Sequence, residues 1–349
     1  MKDVIKLPFG KLENGREVSL YKITNDIGAS LTVCDFGAII QSLVLPDKNN
    51  ELVDIVLGFD ELSPYYYDEA YIGACIGRYA NRLRGNKLEI NGEIFSLDSN
   101  EGENVLHGGL CGFNKVFYQV EKRDKSTIVF HYLSKNGESG FPGNLNFSIS
   151  YTFDDACCLT IEYRAVTDAK TIVNFTNHSY FNLDGHNYGT LDNHKIKIQS
   201  SFYTPSDSKL IPTGEILSIS GTALDLRTLS DIKNKLVEMK EQGMAGYDHN
   251  YLIDGYEKGK LSETATVISS HSGISMDLYT TEPAVQFYTA NALNSDSGKD
   301  DATYGPNSAF CLETQHCPNS PEFSHFPSTV LNVGEEFISK TIIKFKTIL

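Results

Sequence analysis

Tryptophan is absent from this 349-residue chain, which leaves its aromatic surface to 19 tyrosines and 19 phenylalanines. Cationic residues are also scarce: 30 Lys and Arg stand against 45 Asp and Glu, a formal net charge of −15. Such a surface repels phosphate backbones and anionic lipid, which excludes nucleic acid and membrane surfaces as partners. A neutral small molecule suits this balance, whereas an anionic one needs a local basic pocket. The seven cysteines are odd in number and scattered, with Cys157 and Cys158 adjacent, so they do not form a disulfide framework. No stretch is long enough to span a bilayer, and residues 1–8 lack an apolar targeting core. The expectation is a cytoplasmic protein with free thiols.

Several chemistries are missing as well. The chain has no His-Glu-x-x-His, no Cys-x-x-Cys and no tight His and carboxylate spacing for zinc, so no metal is expected. It also lacks a Walker A loop, Gly-x-Gly-x-x-Gly and Gly-x-Ser-x-Gly, which counts against nucleotide cofactors and a nucleophile-elbow hydrolase. Acid–base work without metal or cofactor remains.

Strand patterns dominate what is present. Runs 18–23, 38–45, 128–133, 147–153, 159–166, 196–199, 265–269 and 342–345 have strand length and composition. Asn91-Gly92 between two short runs predicts a type I′ hairpin, because both positions tolerate positive φ. A second hairpin is expected at 153–157. Helical pattern is confined to 229–241, with Ser230 as its N-cap and Gly243 as its stop. No repeat or linker divides residues 1–349, and the polar loop 294–307 reads as a flexible excursion. The fold class is therefore all-β: one large antiparallel β-sandwich domain with few short helices.

Six segments set polar side chains among glycines and aromatics. Asn177-His178-Ser179-Tyr180-Phe181-Asn182-Leu183 interrupts a strand-like run with a histidine amid amides, and Asn174 adds another. Such density suits a wet pocket for a hydroxyl-rich ligand, although a lone histidine is more often a satisfied core residue. Gly77-Arg78-Tyr79-Ala80-Asn81-Arg82 offers a fork of donors for hydroxyls or a carboxylate. In Leu106-His107-Gly108-Gly109, the glycines let backbone approach whatever the imidazole faces. Asp248 in Tyr247-Asp248-His249-Asn250 is an acceptor, and Gln286 is the single amide of an apolar strand. Glu313 in Cys311-Leu312-Glu313-Thr314-Gln315 follows an apolar run. A buried strand carboxylate is costly unless paired or functional, which makes Glu313 the best general-base candidate.

In their order along the chain, from Gly77 to Gln315, and with Val333-Gly334-Glu335-Glu336 near the end, these motifs resemble those of the aldose 1-epimerases along essentially the whole chain. The resemblance implies an isomerase on a large β-sandwich that interconverts the α and β anomers of D-galactose and D-glucose without a cofactor. It implies Glu313 as catalytic base at the C1 hydroxyl and His178 as general acid at the ring oxygen. Asn81, Arg82, His107, Ser179, Tyr180, Asp248 and Gln286 match sugar-contacting positions. The starting state would combine ionised Glu313 with protonated His178. The partner is then a free aldohexose, and the protein a monomer or weak homodimer. Tyr247 and His316-Cys317 depart from the usual pattern, and the latter pair leaves rim contacts open. Two other readings compete: a hexose 6-phosphate enzyme using Arg78, Arg82 and Arg84, and a silent sugar-binding module.

Overall fold

Alternation of apolar and polar residues makes strands here, and the strands make sheets with one buried face. The computed structural model describes residues 4–295 and 297–348. The largest sheet has nine antiparallel strands. In spatial order they are Gln119–Arg123, Thr127–Ser134, Leu145–Phe153, Cys158–Thr167, Glu336–Thr347, Ile274–Thr280, Ser262–Ser269, His194–Ile198 and Ser230–Asp231. In Leu145–Phe153 each odd residue is buried, which places Phe147, Ile149 and Tyr151 in the core. A five-stranded meander, Ile5–Lys11 to Leu52–Asp54, forms a second sheet. A third, also of five strands, runs Leu217–Ser218, Phe202–Thr204, Asp248–Leu252, Ala284–Tyr288, Cys311–Gln315. One apolar core joins all three, with Leu43, Phe147, Ile343 and Phe287 among its members. The molecule is a large antiparallel β-sandwich with two α-helices among the described residues, as the strand pattern predicts.

Each of the eight expected strand runs overlaps an observed strand. The hairpin at Asn91-Gly92 forms with φ of 54° and 82° at its two turn residues. The second expected hairpin joins Leu145–Phe153 to Cys158–Thr167. The helix begins later than the sequence predicts, at Ile232. Ser230 is not its N-cap: Ser230–Asp231 pairs with Lys195–Ile196 at the edge of the large sheet, and that pairing fixes extended backbone there. Gly243, at φ 80°, stands just past the helix end.

The loop 294–307 departs further from expectation. Among its described residues, Lys299 is buried, donating from Nζ to the Asp54 carboxylate at 2.6 Å and to the Gln41 carbonyl at 2.9 Å. Tyr304 is fully buried and donates to the Gly58 carbonyl. The segment is thus fastened to the meander and not a free excursion; Asp296 lies outside the described residues. No helix among the described residues is long and apolar enough to cross a membrane. All seven cysteines are free thiols.

Candidate active site

The third sheet presents a row of polar side chains on one face. Gln286 stands directly across from Glu313, and Asn250 directly across from Gln286. Period-2 geometry then puts Asp248, Gln286, Tyr288, Cys311 and Glu313 on the same side. Over this face lies a cavity of about 1050 Å³, whose walls include Glu313, His178, His107, Arg82, Asp248 and Tyr71. Gln286 lines a small recess beside it, shared with Asn81, Arg82 and Asp248.

Glu313 is 2% exposed, and its Oε2 has no hydrogen-bond partner among the described residues. Its Oε1 is 3.7 Å from His178 Nε2. Burial raises the Glu313 carboxyl well above the usual range; Asp248 adds to this and Arg82 opposes it. Burial likewise lowers the His178 imidazole to about 4. Both shifts oppose the ion pair that the resemblance implies as starting state. They favour the other placement of the same proton, on the carboxyl. A carboxyl and an imidazole this close titrate as a pair, so the one-proton state contains both distributions.

Asp248 is the rival base, but its Oδ1 already accepts from Gln286 Nε2 at 2.6 Å. Burial raises its pKa too, with Arg82 opposing. Of these two carboxylates, Glu313 is the one recorded beside the His178 imidazole.

The irregular segments lock one another. Asn81 and His107 both hold positive φ, at 61° and 52°. The Asn81 amide donates to His107 Nδ1 at 3.2 Å, and the His107 amide donates to the Asn81 carbonyl at 3.1 Å. With Nδ1 accepting, the neutral imidazole carries its proton on Nε2 and is a donor there. His107, His178 and Glu313 place ligand-type atoms within 4.8 Å of one another, a span that one metal ion can bridge. The His107 tautomer argues against it, since a metal at Nε2 needs that lone pair and a donor role for Nδ1. The two glycines after His107 do serve close approach, but to backbone: a Cβ at Gly108, φ 91°, would sit 2.0 Å from the Gly77 carbonyl oxygen.

Arg82 makes a bidentate pair with Glu101 at 2.7 and 2.8 Å. Glu101 and Tyr71 escape sequence reading because both sit in irregular loops with no period to mark them. Tyr180 lines the cavity, and its hydroxyl donates to the Ala70 carbonyl. Ser179 is the one expected contact residue that the structure does not bring to either wall; it is buried and donates to Asn177 Oδ1 at 2.6 Å. The asparagines around His178 are also not pocket donors. Asn174 bonds backbone at Ala80 and His316, Asn177 at Gly73, and Asn182 at Thr190 and Ser308. They staple irregular chain whose carbonyls would otherwise be buried unpaired. His316 pairs with Glu282 at 2.6 Å and does not line the cavity.

Comparison with known proteins identifies the family. The family profile for aldose 1-epimerase matches residues 19–344. Galactose mutarotase of Bos taurus is 38% identical over 347 residues, covering 99% of both chains. Aldose 1-epimerase of Escherichia coli strain K12 is 34% identical over 335 residues, covering 95% of this chain and 96% of its own. Among solved structures, an aldose epimerase homologue from C. elegans aligns at TM-score 0.87 with 27% identity, covering 99% of this chain and 100% of its own.

Proposed function

This chain belongs to the aldose 1-epimerase family and is an isomerase, and we propose that it interconverts the anomers of free D-galactose and D-glucose with Glu313 and His178 as its acid–base pair. The carrying observation is the approach of an imidazole and a carboxylate to 3.7 Å, both on the wall of the cavity.

Opening a hemiacetal ring needs one proton removed from the C1 hydroxyl and one delivered to the ring oxygen. Glu313 takes the first and His178 gives the second. The free aldehyde rotates about C1–C2 by about half a turn, so that the ring hydroxyl attacks the other carbonyl face, and both protons return. A sugar bridging the two groups also solvates them, which offsets the burial that otherwise keeps both neutral. His107 Nε2–H and the Arg82 guanidinium hold the sugar near its ring oxygen. Asn81, Asp248 and Gln286 grip peripheral hydroxyls, Asp248 being oriented by Gln286. Polarimetry of freshly dissolved α-D-galactose tests the reading: faster approach to the same final rotation supports it, and an uncatalysed rate sinks it.

Asp248→Ala should raise KM about 10- to 100-fold, the worth of a hydrogen bond to a charged group, with a smaller effect on kcat. Initial rates across galactose concentrations check this, and an unchanged KM argues against the contact.

The three arginines that a phosphate reading needs are dispersed. Arg78 is buried and donates to the Ser134, Lys135 and Pro142 carbonyls. Arg84 faces Asp207 and Glu322, and Arg82 is held by Glu101. The cavity is lined by Asp68, Glu69, Asp207, Asp248 and Glu313 beside that single paired Arg82. Galactose 6-phosphate should therefore show kcat/KM at least about 100-fold below galactose, since unmatched like charges cost several kcal/mol. Equal efficiency by the same polarimetry would reverse the assignment.

A further inference from the structure

His178 is asked to carry a proton where nothing hydrogen-bonds strongly to it. Its Nε2 is 3.7 Å from Glu313, longer than a hydrogen bond, and its Nδ1 faces the Cys311 thiol at 3.6 Å, a weak partner. Rings surround it instead. Tyr71 lies at 6.1 Å and 29°, and Tyr180 at 5.0 Å and 32°, both at shallow angles to the imidazole. Tyr288 approaches edge-on at 6.4 Å and 75°. Among these tyrosines only Tyr71 is also seen against the His107 ring, tilted at 57° with centroids 4.6 Å apart.

Tyr71 is held there against its own backbone preference. Its φ is 58°, a left-handed conformation uncommon for a bulky residue. The Asp68 carboxylate accepts the amides of Ala70 and Ile72 at 2.8 and 2.6 Å, which shapes the turn. The Gly73 amide donates to the His178 carbonyl at 3.0 Å, and the His178 amide donates to the Ala74 carbonyl at 2.9 Å. The Asn177 side chain and the Tyr180 hydroxyl bond the same segment. The last four of these bonds tie the Tyr71 turn to the segment that bears His178.

We propose that Tyr71 is a positioning residue for proton transfer: its ring fixes the two imidazoles against each other and favours the charged form of His178. The negative π face of tyrosine attracts a cation without supplying an acceptor that would hold the proton. That suits a group which must gain and surrender its proton in each turnover. The other titratable or charged groups around His178 are Glu313 and Cys311 on one strand, Tyr288 on the next, His107, Tyr180, and Asp68 behind Tyr71. Asp248 and Arg82 act on Glu313. The proposal rests on His178 being the acid of the reaction proposed above.

The test compares Tyr71→Phe, which keeps the ring, with Tyr71→Asn, which removes it but tolerates left-handed backbone. For Tyr71→Asn we expect kcat to fall about 3- to 30-fold with KM within about twofold, as for a cation–π contact of one to two kcal/mol. Tyr71→Phe should rescue kcat to within about threefold of the parent. Imidazole NMR titration, with His178 assigned by its loss in His178→Asn, should show His178 titrating about half to one pH unit lower in Tyr71→Asn than in Tyr71→Phe. An unchanged His178 titration in a folded Tyr71→Asn protein overturns the proposal, as does a rise in KM with kcat intact, which would make Tyr71 a sugar contact. The titration needs no turnover, so failure of the acid–base reading and failure of the ring effect remain distinguishable.

Discussion

Glu313→Gln should lower kcat for galactose by about 10²–10⁴-fold, the usual loss for a general base, while sugar binding survives. That is about 3–5 kcal/mol of transition-state stabilisation. Two features set the size. Glu313 stands on the cavity wall beside His178, which on this reading puts its charge at the C1 hydroxyl. Its one rival, Asp248, is held by Gln286 and does not contact His178. The glutamine variant keeps the shape of the side chain and removes only its basicity. Polarimetry gives kcat, and equilibrium binding of galactose gives the ground-state term. Near-normal turnover would remove Glu313 from the role, and lost binding would recast it as a sugar contact.

His178→Asn should be comparably damaging, about 10²–10⁴-fold in kcat, because the ring oxygen then leaves without a proton donor. The pH dependence separates this from misfolding. In the parent protein burial favours the first proton on Glu313, whose pKa it raises, and the second adds to His178, which burial lowers to about 4. The active form carries one proton on the pair. Activity in kcat/KM should therefore rise through about pH 4 and fall where Glu313 loses its proton, above the ordinary carboxylate range. His178→Asn leaves Glu313 alone, so residual base catalysis should rise with pH as Glu313 ionises and lose the alkaline fall. An alkaline fall that persists in the variant assigns that limb to another group.

The strands were legible because period-2 patterning reports one covered face wherever a sheet lies on a core. Leu145–Phe153 shows it best, and its observed burial alternates without a break. Glu313 was legible for a related reason: a carboxylate in a fully buried strand has to be explained by partners or chemistry. Ser230 shows where such reading stops, since a helix-cap residue by type was claimed by the edge of a sheet whose partner strand lies some 35 residues earlier. The loop 294–307 failed likewise. Its polarity predicted freedom, but Lys299 met Asp54 from the far end of the chain.

The sequence by itself determined an all-β chain with free thiols, an acidic surface, and a set of polar side chains suited to acid–base chemistry on a sugar. Tertiary structure decided which of those side chains face the cavity. Asn174, Asn177, Asn182 and Ser179 had the same standing in sequence as His178, yet they are consumed by backbone carbonyls and by one another. Tyr71 and Glu101, which carried no signal, complete the surroundings of His178 and Arg82. The physical reason is that the site is assembled on irregular backbone. A strand's period announces its faces, but the direction of a side chain in a turn is fixed only by the hydrogen bonds that reach it from distant segments.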